Sequence, residues 1–120
     1  MSKVSNPFVG VWKIVEMKEW DTGYVDLVVP GHITFADHLD GSFQFGTVRG
    51  FLDCRIERIG KEERIEFSWK GFSDKDEGCG RGWAVIRNGE LHGRIYIHAG
   101  DDSAFRAQRA RSKLGKAEKG

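Results

Sequence analysis

The feature that most restricts the fold of this chain is a series of short alternating apolar and polar runs, separated by glycine-bearing turns. In the cleanest run, Ile65, Phe67 and Trp69 fall on one face and polar residues on the other. This is the period-two pattern of a half-buried β-strand. Asn88-Gly89 lies between two such runs and favours a type I′ hairpin turn. No helical period persists before residue 103, so the sequence predicts an all-β protein.

Eight strands are predicted. They cover 9–19, 32–37, 42–48 and 51–59, a strand between a turn at Gly60-Lys61 and a polar loop over 71–80, and then 81–87, 90–98 and 103–108. Mostly short connections favour an up-and-down order, and closure would remove exposed strand edges. The sequence therefore predicts an eight-stranded antiparallel up-and-down β-barrel over residues 1–109, followed by a basic, flexible tail over 110–120.

Charge is unevenly distributed along the chain. From Arg106 onward there are six of the 19 basic residues and one of the 18 acidic residues, which leaves the body mildly acidic. A basic tail could contact nucleic acid, but a solubilising chain end is the favoured interpretation. We therefore expect no nucleic-acid partner.

Features that the sequence lacks bear on the location of the protein and on its cofactors. No signal peptide is recognised and no apolar stretch is long enough to span a membrane, so we expect no membrane partner. The two cysteines, Cys54 and Cys79, favour a reducing cytoplasm over a disulfide framework. The four histidines show no metal-ligand spacing, so we expect no metal and no cofactor.

The N-terminal segment carries a family resemblance. Gly10-x-Trp12, preceded by Asn6 and Phe8, resembles the first-strand motif of the calycins, the group that contains lipocalins and fatty-acid-binding proteins. The resemblance implies a lipocalin-like barrel with a ligand site inside it. The connection over 20–31 is too short for the two-helix lid of fatty-acid-binding proteins.

The same resemblance implies a plug at one end of the barrel. The motif tryptophan, Trp12, would close that end, with a cationic side chain from the last strand packed over it. Arg109 is the first candidate for that partner, because it shares strand parity with Phe105, and Arg106 is the second.

The whole chain is also similar to a group of small bacterial proteins with no assigned function. The shared elements are Trp20-Asp21, Pro30-Gly31, Gly80-Arg81-Gly82-Trp83 and Gly100-Asp101-Asp102-Ser103. This likeness implies no activity.

Aromatic residues on several strands are candidates for an inner wall. They are Phe43, Phe45, Phe67, Trp69 and Trp83. Such a set either lines a pocket for a small planar or acyl ligand or fills the barrel as a core. Arg49 and Tyr96 are candidate polar anchors. Arg49 points inward if 42–49 alternate without interruption, and the glycines at 46 and 50 leave a hairpin or a bulge open. Glu16 shares the Trp12 face if the first strand is regular.

Binding of a small apolar or amphipathic molecule inside the barrel is therefore the first functional hypothesis, without a catalytic residue. The alternative is a filled barrel that acts as a dimeric structural or interaction protein. It would associate through the apolar 20–29 segment, which could also cap the barrel, or through an outer sheet face. A less favoured hypothesis is an enzyme that uses His98 with Asp101 or Asp102.

Overall fold

Eight antiparallel strands, each hydrogen-bonded to the next along the chain, form a barrel that closes between the first and the last strand. The computed structural model describes residues 6–110. The strands are β1 Gly10–Met17, β2 His32–Phe35, β3 Asp40–Phe45, β4 Val48–Ile59, β5 Glu62–Ser73, β6 Asp76–Arg87, β7 Glu90–Ile97 and β8 Asp102–Arg109. The predicted all-β, eight-stranded up-and-down barrel is confirmed. The tail over 111–120 lies outside the described residues.

Two-residue turns join β3 to β4, β4 to β5, β5 to β6 and β6 to β7. At Asn88-Gly89 both residues have positive φ, 54° and 79°, as a type I′ turn requires. This turn pairs Arg87 with Glu90 and fixes the facing of every residue on β6 and β7.

The predicted loop over 71–80 is wrong. Strands β5 and β6 continue through it and pair as far as Ser73 with Asp76, leaving only Asp74 and Lys75 to turn. The segment resembles a loop in sequence because it combines glycine with polar residues. The barrel uses the glycine at position 80 to make room for Trp69: a Cβ there would lie 2.7 Å from the indole nitrogen.

Arg49 does not point into the barrel. The two-residue turn at Gly46-Thr47 pairs Phe45 with Val48 and Gln44 with Arg49. In a continuous strand, residue 49 would lie on the same face as Phe45. The two-residue turn instead puts Val48 on the face of Phe45, so Arg49 lies on the outer face. There its guanidinium carbon lies 5.4 Å from the ring centroid of Phe72.

Trp83 and Tyr96 also lie on the outer face. The Asn88-Gly89 turn pairs Ile86 with the buried Leu91, which directs Ala84 and Gly82 inward and Trp83 outward. A Cβ at Gly82 would lie 2.4 Å from Cζ of Phe67, so the large ring on β5 requires a glycine opposite it. The assignment of Trp83 to an inner wall is therefore wrong, and so is that of Tyr96 to a polar anchor inside the barrel.

Glu16 is turned outward by an irregularity in β1. The pairing with β8 shifts between Ile14 and Glu16, so Met17 is buried in its place. Glu16 then accepts a hydrogen bond from Arg106 on β8, which also donates to Glu90 on β7. A hydrogen bond from Gln108, together with the charge and hydrogen bond of Arg106 and the charge of His92, holds the pKa of Glu90 below its ordinary value. Arg106 thus links three strands across the closure of the barrel.

The barrel interior is filled by aromatic and aliphatic side chains. Phe43 stacks with Phe45 at 5.7 Å and meets the edge of Trp69 at 5.0 Å between centroids. The ring centroids of Phe67 and Phe35 lie 6.2 Å apart. Burial of this many rings supplies the main driving force for folding a chain of this length.

One end of the barrel is closed by Trp12. Its indole N–H donates to the carbonyl of Phe8, and the guanidinium carbon of Arg109 lies 4.0 Å from its ring centroid. Arg109 also donates to the carbonyls of Val9 and Pro7, both at 2.6 Å. Gly10 has a φ of 129°, and a Cβ there would lie 2.7 Å from the Arg109 guanidinium. The glycine therefore provides both the turn and the space for the arginine.

The other end is covered by the connection after β1. It contains the short helix α1, Thr22–Val25, whose N-cap Asp21 accepts from the backbone N–H of Tyr24. The ring centroids of Trp20 and Phe45 lie 4.9 Å apart, and the hydroxyls of Tyr24 and Thr47, in the β3–β4 turn, share a hydrogen bond. Helix α1 is four residues long, and residues 6–110 contain no helix of the length and apolarity needed to cross a membrane.

We expect Trp12→Ala to lower the free energy of unfolding by about 3–5 kcal/mol, because it empties the plug and leaves Arg109 without its stacking partner. The neighbouring exposed Val11 is the control, and Val11→Ala should cost less than about 1 kcal/mol. Urea unfolding followed by circular dichroism measures both. Equal losses for the two variants would contradict the role of Trp12.

Candidate functional site

The side chains predicted to wall an internal pocket face one another closely. Phe43, Phe45, Phe67 and Trp69 are 1%, 0%, 4% and 2% exposed. If the barrel enclosed a ligand-sized cavity, the side chains that line it would have exposed surface facing that cavity. Phe43 instead contacts Phe45 and Trp69, and Phe67 contacts Phe35, so these buried rings form a core.

A broad concave surface lies on the outer face of β4–β7. It has a volume of about 960 Å³. We call it the arginine groove, and its outward side chains are Asp53, Arg55, Arg64, Glu66, Ser68, Arg81, Trp83, Tyr96 and His98. The backbone of Gly80 and Gly82 also borders it.

Register brings these residues together from four strands. One cross-strand row runs from Asp53 through Ser68 and Arg81 to Tyr96. The next row runs from Arg55 through Glu66 and Trp83 to Arg94. Directly opposed side chains in such rows lie within contact distance, so residues far apart in sequence form one surface.

Arg64 and Trp83 form a stacked pair in the groove. The guanidinium carbon of Arg64 lies 4.7 Å from the Trp83 ring centroid, within the range of a cation–π interaction. Nη1 of Arg64 is 3.9 Å from Oε2 of Glu66, longer than a hydrogen bond. The Nε of Arg64 is buried and has no hydrogen-bond partner among the described residues.

The groove carries more positive than negative side chains. Arg55, Arg64 and Arg81 face two acids, Asp53 and Glu66. Within residues 6–110, neither Arg55 nor Arg81 has a carboxylate within 4.0 Å. This local excess contrasts with the mildly acidic body of the chain and favours an anionic group as ligand.

The acid–base group considered from the sequence is not assembled. Arg94 donates to Asp102 at 2.6 Å, which engages that carboxylate in an ion pair. His98 is exposed, and no hydrogen bond joins its ring to Asp101 or Asp102 in the described part of the chain. Over the same residues, no group of three or more His, Cys, Asp or Glu side chains could hold a metal ion.

A second, smaller depression lies on the same outer face, towards β2 and β3. Its volume is about 290 Å³. Its outward side chains include the stacked pair Arg49 and Phe72, and Phe51, which is 74% exposed. This depression has one arginine where the arginine groove has three.

The two cysteines differ in their surroundings. Burial in the core raises the pKa of the Cys54 thiol to about 12, with a smaller contribution from the charges of Asp53 and Asp40. Cys79 lies on the exposed face of β6. Both are free thiols.

The sequence already contained signals for part of the arginine groove. Arg94, Tyr96 and His98 alternate with Ile95 and Ile97, which correctly indicates an outer face. Arg64 and Arg81 were not predicted as site residues. Their proximity to Trp83 depends on the β5–β6 register, and local alternation carries no information about register between strands.

We expect iodoacetamide at pH 8 to label the native protein once, at Cys79. With a pKa of about 12, only about one Cys54 thiol in ten thousand is ionised at that pH, and the thiolate is the reactive form. Mass spectrometry counts the labels. Cys79→Ser should leave the native protein unlabelled, and unfolding in guanidinium should then restore one site. Rapid labelling of native Cys54 would contradict its placement in the core.

Comparisons with protein-family models, with curated proteins and with solved structures found no match to this chain.

Proposed function

We propose that this barrel is a non-catalytic binding protein that holds a small amphipathic molecule in the arginine groove. The molecule would combine a planar apolar body with an anionic group. The observation that carries the proposal is the grouping of Trp83 and Tyr96 with three arginines in one concavity on the outer sheet face.

The size of the groove suits a small molecule. Its volume of about 960 Å³ lies at the upper end of the range of roughly 300–1,000 Å³ found for small-ligand sites. Trp83 is half-buried and Tyr96 is 39% exposed, so both offer apolar surface to a bound ring. Aromatic surface beside unpaired arginines is the chemistry that binds planar anions.

Binding inside the barrel, as the calycin resemblance implies, stays a prediction. It would require the contacts among Phe43, Phe45 and Trp69 to open, at the cost of the packing energy that they now supply. The outer groove needs no such rearrangement. The filled interior is therefore assigned to stability and the outer face to binding.

We expect 2-naphthoate and indole-3-acetate to bind in the groove and to shift the indole N–H resonance of Trp83. Trp83→Leu should weaken this binding at least about tenfold, because it removes the ring surface and the stacking partner of Arg64. Calorimetric titration and ¹⁵N-resolved NMR measure the two effects. Phe51→Leu is the matched control, since it also removes an exposed outer-face ring.

Octanoate tests the interior alternative in the same titrations. Binding of octanoate with resonance shifts at Phe43 and Trp69, unaffected by Trp83→Leu, would place the site inside the barrel. Absence of binding by all three probes would contradict the proposal.

Self-association is a second candidate function, and one observation favours it. Leu27, Val28 and Val29, at the end of the connection after α1, are 62%, 57% and 36% exposed. Asp26 anchors this apolar tip to Lys13 on β1 at 3.7 Å. Three consecutive exposed apolar side chains on an anchored loop suit burial against a second copy of the chain.

If the apolar tip mediates a dimer, Val28→Asp should shift the protein to the monomer in sedimentation equilibrium, because a buried carboxylate without a partner opposes association. Leu39→Asp alters an exposed apolar residue in the β2–β3 connection and should leave the mass unchanged. A wild-type protein that stays monomeric over a hundredfold concentration range would exclude this function.

A further inference from the structure

Arg64 differs from the arginines that hold the barrel together. Those arginines each meet oxygen acceptors at hydrogen-bonding distance: Arg87 with Glu62 at 2.9 Å, Arg94 with Asp102 at 2.6 Å, Arg106 with Glu90 at 3.1 Å, and Arg109 with backbone carbonyls at 2.6 Å. Among residues 6–110, Arg64 approaches one carboxylate, that of Glu66 at 3.9 Å, and its Nε–H has no acceptor. Its hydrogen-bonding capacity is therefore largely unused.

Stacking holds Arg64 in place without consuming that capacity. The guanidinium carbon lies over the Trp83 ring, 4.7 Å from its centroid, and the N–H donors of a guanidinium lie at the edges of its plane. The side chain keeps 32% of its surface exposed in the groove. A guanidinium fixed in this way loses little further entropy when it binds.

We propose that Arg64 is the anchor for an oxyanion, a carboxylate or a phosphate, on the molecule held in the arginine groove; this rests on the proposed function. Two oxygens of such a group match the edge of the guanidinium and form paired charge-assisted hydrogen bonds. The ligand displaces the weak contact with Glu66. A small shift of the side chain also gives the unpaired Nε–H an acceptor, which removes the cost of a buried donor without a partner.

Two arginines add positive charge near Arg64, whereas Glu57 lies directly opposite it in the β4–β5 pairing. Arg55 lies opposite Glu66 in the β4–β5 pairing and Arg81 lies opposite Ser68 in the β5–β6 pairing. Both guanidinium groups lack an ion pair within residues 6–110 and add to the positive field around Arg64. Glu66 is the competing acid, since it approaches Arg64 most closely. Removing its charge should therefore strengthen binding of an anion and leave binding of a neutral ring unchanged.

The experiment compares three probes that share one ring and differ in the head group: 2-naphthoate, 2-naphthyl phosphate and the neutral 2-naphthamide. Calorimetry at low salt should show both anions binding at least about tenfold more tightly than the amide. Arg64→Gln should weaken the anions by about tenfold to a hundredfold and leave the amide unchanged. Glu66→Gln should tighten the anions about two- to fivefold. The tighter of the two anions identifies the head group.

Arg49→Gln is the matched control, because Arg49 also stacks on an outer-face ring but lies in the second depression. It should leave the affinity for both anions unchanged. Arg64→Lys keeps the positive charge. It should still lose most of the difference in affinity between the anions and the amide, since lysine lacks the paired donors. Equal affinity for the amide and the anions, or equal effects of Arg64→Gln and Arg49→Gln, would overturn the role of Arg64 and leave the groove as a binding site. Failure of all three probes to bind would overturn both the role of Arg64 and the proposal that the groove is a binding site.

Discussion

The two-residue turns between consecutive strands determine the organisation of this barrel. Each turn fixes which residue of the next strand lies opposite a given residue of the previous one, and therefore which side chains enter the core. The turn at Gly46-Thr47 places Arg49 outside, and the turn at Asn88-Gly89 does the same for Trp83. A one-residue change at either turn would exchange the inner and outer faces of a long strand.

Core packing and groove formation are two consequences of the same alternation. Large inward rings on β5 require small inward residues on β6, which is why Gly80 and Gly82 face Trp69 and Phe67. The outward residues that alternate with these glycines are Arg81 and Trp83. The Gly80–Trp83 segment thus combines close packing inside with an aromatic and cationic surface outside. Because the interior is filled, the binding function that we propose lies on the outer face.

Closure of the barrel depends on arginines that are hydrogen-bonded to acceptors, whereas the groove contains arginines that have no such partner within residues 6–110. Arg109 covers Trp12 and binds two carbonyls, and Arg106 joins β8 to both of its neighbours. Such fixed pairs maintain the structure. In contrast, Arg64 is positioned by Trp83 and keeps most of its donors available. Identical side chains therefore serve stability at the seam and, in the function we propose, recognition in the groove.

Local sequence patterns determined the number of strands, the up-and-down order and the Asn88-Gly89 hairpin, because alternation and turn chemistry act over a few residues. They also determined that Phe43, Phe67 and Trp69 belong to an apolar face. Tertiary structure alone decided that the 71–80 segment is paired strand, that Glu16 turns outward at a shift in register, and that Arg64 lies against Trp83. Those outcomes depend on register between strands and on the complementary sizes of facing side chains, which no single stretch of sequence specifies.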